Sequence, residues 1–184
     1  MAVLSLRVVP DPVLRQRAKR VTKVGASIRK LVKDMVDTMR ANHGVGLAAP
    51  QVGVSLRVIV IEIPEEPVLA LINPRIVKRV GEREVTEGCL SIPEYRGVIK
   101  RAETVTARGL DLDGKEVRRK AQELLAQVLE HEVGHIQGTL YVDLLESMDK
   151  LYKLDDTEDE EGKLGKYGQE RSRPLDDRRD RDKS

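Results

Sequence analysis

The chain has two long stretches in which apolar residues recur at helical spacing, and short β-branched runs lie between them. The first stretch, "SIRKLVKDMVDTMRAN", repeats apolar residues from Ile28 to Met39, and Ser27 precedes them as a candidate N-cap. The second stretch covers about residues 121–137, and Gly138 follows it as a stop signal. The sequence therefore predicts two long amphipathic helices.

The intervening runs are short and rich in β-branched residues, as is typical of strands. Strands are predicted at residues 55–63, in "VLALINP" and in "IVKRV". The segment "ETVTARGLDLDGKEV" contains the turn dipeptide Asp113-Gly114, which predicts a hairpin whose second strand covers residues 115–118. Together these runs predict an α+β fold whose strands are mostly antiparallel.

Composition excludes several classes of function. Lys and Arg number 33 against 31 Asp and Glu, so the formal charge of +2 gives no general field toward nucleic acid, and any basic contact surface must be local. The chain has no Phe or Trp, so the core is expected to be aliphatic, without the aromatic platforms on which single-stranded nucleic acid stacks. The longest apolar run, "VIVIEIP", falls far short of the roughly 20 residues that span a membrane.

Two further features concern compartment and domain organisation. Cys89 is the only cysteine, so it forms no internal disulfide, and a reducing cytoplasmic setting is expected. Beyond Leu154 the composition becomes charged and nearly free of apolar residues. We therefore expect one catalytic domain over residues 1–154 and a disordered tail over residues 155–184.

The second predicted helix contains "EHEVGH", which holds two of the three histidines in the chain. On a helix, His131 and His135 lie one turn apart on the same face, so both imidazoles can bind one ion. Glu132 then lies beside the ion, where a carboxylate can take a proton from metal-activated water. The alternative is a helix with two ordinary histidines. The scarcity of histidine and the adjacent acid favour the metal site.

A catalytic metal needs a third protein ligand, and Cys89 in "TEGCLSIPE" is the candidate. A lone cysteine is otherwise a small buried apolar residue. The stretch "GVGLAAPQVG", residues 44–53, combines small residues that allow close backbone approach with the amide donor of Gln51. Its alternative interpretation is a tight glycine turn before a strand.

Taken together and in this order, "GVGLAAPQ", "EGCLS" and "HEVGH" resemble the three motifs of the peptide deformylase family. Flanking segments, among them "VVPDPVLRQRAKRV" and "GTLYVDLLESMDKLYKL", are also similar to that family. The resemblance covers about residues 5–154. It implies an α+β fold in which mostly antiparallel strands pack around a central metal-binding helix, and it implies removal of the formyl group from the N-terminal formylmethionine of newly made proteins.

The resemblance also implies roles for individual residues. Cys89, His131 and His135 match the metal ligands, and Glu132 matches the general base that activates water. Gln51 and the backbone N–H of Leu90 match the donors that hold the developing oxyanion. The residues that match the peptide-binding surface and methionine pocket are Val45, Gly46, Val85, Gly88, Leu124, Gln127 and Val128.

The implied cofactor is one divalent transition metal, with Fe²⁺ as the expected native ion and Zn²⁺, Ni²⁺ or Co²⁺ as compatible ones. The implied partners are N-formylmethionyl nascent peptides and, in the family's setting, the ribosome. Neither sequence-specific nucleic-acid binding nor membrane association is implied.

One position departs from the family pattern, because Gly134 stands where the family usually has Asp. An acid there would orient a ligand, and Arg101 is its expected partner, left here to pair elsewhere. Two rival functions stay open: a zinc peptidase, which shares the His-Glu-x-x-His pattern, and a non-catalytic homologue that binds peptide N-termini or the ribosome. The cysteine ligand argues against the first, and the retention of Glu132 and Gln51 argues against the second.

Overall fold

In residues 2–154, the part of the chain that this computed structural model describes, eight strands form two antiparallel sheets around two α-helices. The helices are α1 (Ala26–Ala41) and α2 (Glu123–Gln137). The strands are β1 (Gly46–Ala48), β2 (Val58–Ile61), β3 (Leu69–Val80), β4 (Arg83–Cys89), β5 (Ile92–Arg101), β6 (Thr104–Leu110), β7 (Glu116–Gln122) and β8 (Leu151–Lys153). The five-stranded sheet has the order β1-β2-β3-β6-β7, and the three-stranded sheet has the order β4-β5-β8.

Strand β2 shows why the two helices lie on opposite faces of the larger sheet. Its sequence, Val-Ile-Val-Ile, is buried throughout. Because side chains alternate along a strand, Val58 and Val60 pack with α1, whereas Ile59 and Ile61 pack with α2. A strand covered on both faces needs an unbroken apolar run, and this one has it.

A third apolar cluster joins the smaller sheet to an N-terminal turn and to the segment that follows α2. It includes Leu14, Val85, Ile99 and the fully buried Tyr141, and Cys89 lies at its edge. The end of β4 contacts α2 through Cys89, which lies beside His135.

The predicted α+β class, the antiparallel sheets and both long helices are confirmed. Two details of the helices were wrong. Gly25 is the N-cap of α1, and Ser27 lies inside its first turn. Helix α2 begins at Glu123 instead of residue 121, because β7 continues through Gln122.

The strand predictions were also refined. The run predicted over residues 55–63 is a shorter strand, β2. The segments "VLALINP" and "IVKRV" are one strand, β3, whose register shifts near Asn73. Asn73 has a left-handed backbone with φ of 54°, and its side chain bonds both backbone groups of Val21. The predicted hairpin is confirmed as β6 and β7.

The predicted tail, residues 155–184, lies outside the described residues. Among residues 2–154, neither helix has the length and apolarity that a membrane span requires.

Two glycines near the end of α2 give a stability prediction with an internal control. A Cβ at Gly134 would meet only the carbonyl oxygen of Thr139, at 3.4 Å, so Gly134→Ala should raise the free energy of unfolding by about 0.5–1 kcal/mol through helix propensity. Gly138 has φ of 81°, and a Cβ there would lie 2.7 Å from the Arg15 carbonyl oxygen. Gly138→Ala should therefore lower the free energy of unfolding by more than about 1 kcal/mol.

Urea unfolding of the metal-loaded variants, with metal content checked in each, measures both changes. A destabilised Gly134→Ala variant with full metal content would show that residue 134 is constrained by something other than helix propensity.

Candidate metal centre

Helix α2 places both predicted histidine ligands at one point. The Nε2 atoms of His131 and His135 lie 3.2 Å apart, as expected for residues one turn apart on one face. His135 is buried, and only a small part of His131 is accessible. Nε2 of His135 also contacts the Cys89 sulfur, and its Nδ1 has no hydrogen-bond partner among the described residues.

Cys89, the last residue of β4, completes the set. Its Sγ lies 3.2 Å from Nε2 of His135, and the three donor atoms lie within 4.8 Å of one another. Tetrahedral bonds to one ion would separate such donors by roughly 3.4–3.6 Å, so the arrangement fits a single metal with only small adjustment. Burial opposes ionisation of the Cys89 thiol, but the neighbouring His135 and His131 lower its pKa well below that of a free thiol. A thiolate is the form that binds metal.

Glu87 fixes the orientation of His131. Its Oε2 lies 2.7 Å from Nδ1 of His131, so Nδ1 is the protonated nitrogen and the lone pair of Nε2 faces Cys89 and His135. Arg101 donates two hydrogen bonds to the same carboxylate, at 2.7 and 2.8 Å. Burial alone would raise the pKa of Glu87, but the bonds from Arg101 and His131 outweigh it and lower that pKa to about 2.

Sequence reasoning missed Glu87, although a signal was present. Residues two apart on a strand usually project to the same side, so a strand at residues 83–89 would have favoured a shared face for Glu87 and Cys89. The same contact shows how Arg101 is paired although Gly134 replaces the usual Asp. Arg101 pairs with the carboxylate of Glu87 from β4, and no acid at position 134 is needed to hold it.

Gln51, in the short turn that follows β1, also reaches the metal centre. It is buried, and its Oε1 accepts a hydrogen bond of 2.8 Å from the backbone N–H of Ala48. That bond fixes the amide so that Nε2 points to Cys89 Sγ at 3.5 Å and to Ser91 Oγ at 3.2 Å. The structure thus brings together the three sequence motifs.

Glu132 lies beside the three donors without joining them. It is buried, and its Oε2 has no hydrogen-bond partner within residues 2–154. Burial raises the pKa of Glu132 to about 7. The backbone of β1 runs so close that a Cβ at Gly46 would lie 2.4 Å from Glu132 Oε1 and 2.7 Å from Val128 Cγ1, so a side chain at this position would displace Glu132 and Val128.

An open cavity of about 520 Å³ leads to these groups. Besides Gln51, Cys89, His131 and Glu132, it is lined by seven other residues singled out from the sequence. They are Val45, Gly46, Gly88, Leu90, Leu124, Gln127 and Val128.

The predicted place of Val85 in the methionine pocket stays a prediction. Val85 does not line this cavity, because it belongs to the third apolar cluster with Ile99 and Tyr141. The cavity also has lining residues that the motifs did not indicate, notably Arg96 and Pro93 from β5. His43, expected at the surface, is exposed and lies at the cavity rim.

A buried Cys-His-His donor set, an adjacent carboxylate and an open cavity define a mononuclear metal-dependent hydrolase. The family model described as polypeptide deformylase matches residues 3–151. The chain belongs to the polypeptide deformylase family, and deformylase activity is the function that this membership assigns to it.

Individual relatives agree with this assignment. A peptide deformylase of Dehalococcoides mccartyi strain CBDB1 is 53% identical over 155 residues, which cover 84% of this chain and 93% of the relative. The crystal structure of a peptide deformylase from Legionella pneumophila is 43% identical with a TM-score of 0.78, covering 81% of this chain and 89% of that one. A Met-Ala-Ser-bound peptide deformylase from Acinetobacter baumannii is 32% identical with a TM-score of 0.76, covering 78% and 99%.

The position of Glu87 gives a prediction for metal affinity. Glu87→Gln keeps the side-chain size but removes the charge that Arg101 and His131 share, so metal affinity should fall roughly 10- to 100-fold. Competition with a chromophoric chelator measures it. The matched control is Glu84→Gln on the same strand, where the exposed carboxylate pairs with Lys150 at 2.6 Å. Equal affinities in the two variants would contradict the orienting role of Glu87.

Proposed function

We propose that the chain hydrolyses the formyl group from the N-terminal formylmethionine of newly made peptides, with Glu132 as the proton-transfer group. The observation that carries this proposal is the buried Glu132 carboxylate, which has one unpartnered oxygen and lies beside the three-donor centre in a cavity open to solvent. The bound Met-Ala-Ser of the Acinetobacter relative supports a substrate with this side-chain order.

Cys89, His131 and His135 would hold one divalent ion. When bound, that ion supplies a Lewis acid that polarises the formyl oxygen and activates water. We propose Fe²⁺ as the native ion. One thiolate and two imidazoles also suit Zn²⁺, Ni²⁺ and Co²⁺, so the donor set alone does not select among these ions.

Glu132 takes the proton of the attacking water and passes it to the departing amine. Its position supports this role because the carboxylate is not one of the three clustered donors but lines the same cavity, and its Oε2 has no hydrogen-bond partner within residues 2–154. Removal of solvent strengthens such a proton acceptor's interactions with the reacting atoms.

Gln51 and the backbone N–H of Leu90 donate hydrogen bonds to the oxygen on which negative charge develops. The amide of Gln51 is preorganised, since its carbonyl end is held by Ala48 before any substrate arrives. A donor that is already aimed needs no reorganisation during the reaction.

The peptide backbone binds as an added strand between two sheet edges. Strand β1 ends the larger sheet and β4 ends the smaller one, and both line the cavity through Gly46 and Gly88. Edge strands present unpaired backbone groups that an extended peptide can satisfy. The apolar side chains Val45, Leu124 and Val128 then form the walls that receive the methionine thioether, with Gln127 at their margin.

The close approach at Gly46 also accounts for selectivity toward a formyl group. A Cβ at Gly46 would crowd Glu132 and Val128, and we propose that this close contact forms a tight wall beside the reacting carbon. The acetyl group carries a methyl where the formyl group carries hydrogen. That methyl should collide with this wall.

The proposed setting is the cytoplasm, where a reduced Cys89 persists and nascent chains are available. We further propose the ribosome as a partner, since the substrate is the N-terminus of a nascent chain.

The test compares turnover of formyl-Met-Ala-Ser with acetyl-Met-Ala-Ser on one sample whose metal content is measured. The proposal predicts release of formate from the first peptide and at least a 100-fold lower rate on the second, with activity lost when a chelator removes the metal. Anaerobic purification identifies the native ion in the same preparation.

The same assay separates the rival functions. Cleavage of internal peptide bonds would identify a zinc peptidase. Metal-loaded protein that binds formyl-Met-Ala-Ser without releasing formate would identify a non-catalytic binding protein.

A further inference from the structure

The outer face of the larger sheet is only partly covered by α1. The α1 cluster includes Val58, Val60 and Ile72 from β2 and β3, so the helix covers the β1-β2 side of that face. Strands β3, β6 and β7 continue beyond it. On these strands, Arg75 pairs in register with Arg108, and Arg108 pairs in register with Arg118.

Residues directly opposite on antiparallel strands project to the same side, so these three arginines form a row across the sheet. Lys78 and Lys120 form a second row, on either side of Thr106. Ala107 and Val105 pack against α2, so the arginine row lies on the sheet face opposite to that helix. We call the surface of Arg57, Arg75, Lys78, Arg108, Arg118 and Lys120 the basic face.

Few acidic groups balance the charge on the basic face. Arg108 Nε lies 3.0 Å from Glu116 Oε1. Within residues 2–154, no ion pair to a carboxylate is formed by Arg75, Lys78, Arg118 or Lys120. Like charges opposite each other on neighbouring strands destabilise a sheet. The row of arginines therefore costs stability in the free protein, and an anionic ligand would offset this cost.

A cavity of about 290 Å³ lies at one end of the basic face, and its charged lining residues are four arginines and one acid: Arg20, Arg57, Arg75, Arg108 and Glu116. Arg57 is held in place by one hydrogen bond of 3.0 Å from Nη2 to the Pro74 carbonyl oxygen. Its Nε is buried and has no hydrogen-bond partner in the described part of the chain. Burial and the neighbouring Arg17, Arg20 and Arg75 lower the pKa of Arg57, so the positive charges here repel one another.

The chemistry of these side chains selects phosphate as the ligand group. Guanidinium groups present rigid forks of N–H donors that match phosphate oxygens. A single small anion would engage the cavity alone, whereas the basic face continues across three strands. Its length fits a chain of phosphates.

The same face argues against other polyanions. Anionic membranes are bound most firmly where aromatic or long apolar side chains can insert, and the exposed large apolar residues on β3, β6 and β7 are only Val77 and Val80. The chain lacks Phe and Trp, so bases of single strands have no stacking platform. Contacts limited to phosphates suit double-helical RNA, which proteins recognise by shape and backbone.

We propose that the basic face binds the phosphate backbone of folded RNA, with the arginine cavity holding one phosphate group. The site lies on the sheet face opposite to α2 and is independent of the proposed catalytic role.

The test measures binding of the full metal-loaded chain to a fluorescently labelled 20-base-pair RNA duplex by anisotropy, at several salt concentrations. The variant Arg20→Gln/Arg75→Gln removes two exposed charges and leaves the half-buried Arg57 in place. The control Lys33→Gln/Lys100→Gln removes the same formal charge from exposed residues outside the basic face. We expect Kd to rise at least tenfold in the first variant and less than twofold in the control. The slope of log Kd against log salt should fall by roughly 1 to 2 in the first variant only.

Turnover of formyl-Met-Ala-Ser should be unchanged in both variants. Unchanged turnover would show that each variant is folded, and it would separate RNA binding from the proposed catalytic function. Equal weakening by the two variants, or unchanged binding in the first, would overturn the proposal. Two further arms use inorganic phosphate and phosphatidylserine vesicles. Binding to vesicles or to free phosphate with no measurable affinity for the duplex would also overturn it.

Discussion

The buried carboxylate of Glu87 is the contact on which the metal centre depends, because it joins three separate elements. Glu87 comes from β4, Arg101 from β5 and His131 from α2. A buried charge is tolerated only when it is paired and fully hydrogen-bonded, and removal of one partner from such a pair typically costs about 3–5 kcal/mol. The carboxylate meets this requirement with bonds of 2.7 and 2.8 Å from Arg101 and a contact of 2.7 Å to His131. One group therefore ties the smaller sheet to the helix and sets the tautomer of a ligand.

The different surroundings of Glu87 and Glu132 give these two acids different roles. Glu87 is surrounded by donors, so its pKa is lowered to about 2 and it serves as a fixed anion. Glu132 lies only one residue after His131, but its Oε2 has no hydrogen-bond partner in residues 2–154, and burial raises its pKa to about 7. Two carboxylates at one centre thus have opposite environments, a pattern that separates a positioning acid from a proton-transfer acid.

Local structural features could be predicted from the sequence more accurately than contacts between distant residues. The helical repeat and the His131/His135 spacing depend on neighbours within one turn, so both could be predicted from the chain alone. The role of Glu87 depends on Arg101 and His131, which are 14 and 44 residues away along the chain, and so it was missed. The apolar environment of Val85 was not predicted for a related reason. Its side chain faces the third apolar cluster, and only the packing of the smaller sheet reveals that direction. Likewise, the start of α2 was placed at residue 121 because propensity does not show that β7 pairs with β6 as far as Gln122.

The most direct test of this account is the variant Glu132→Gln, which keeps the size of the side chain but cannot accept a proton. Metal content, kcat and KM for formyl-Met-Ala-Ser are measured on the variant and its parent. The account predicts full metal loading, nearly unchanged KM and a kcat lower by roughly 10²- to 10⁴-fold, the usual contribution of general acid-base catalysis. A metal-loaded variant with undiminished kcat and a raised KM would show that Glu132 only shapes the pocket, and would contradict the account.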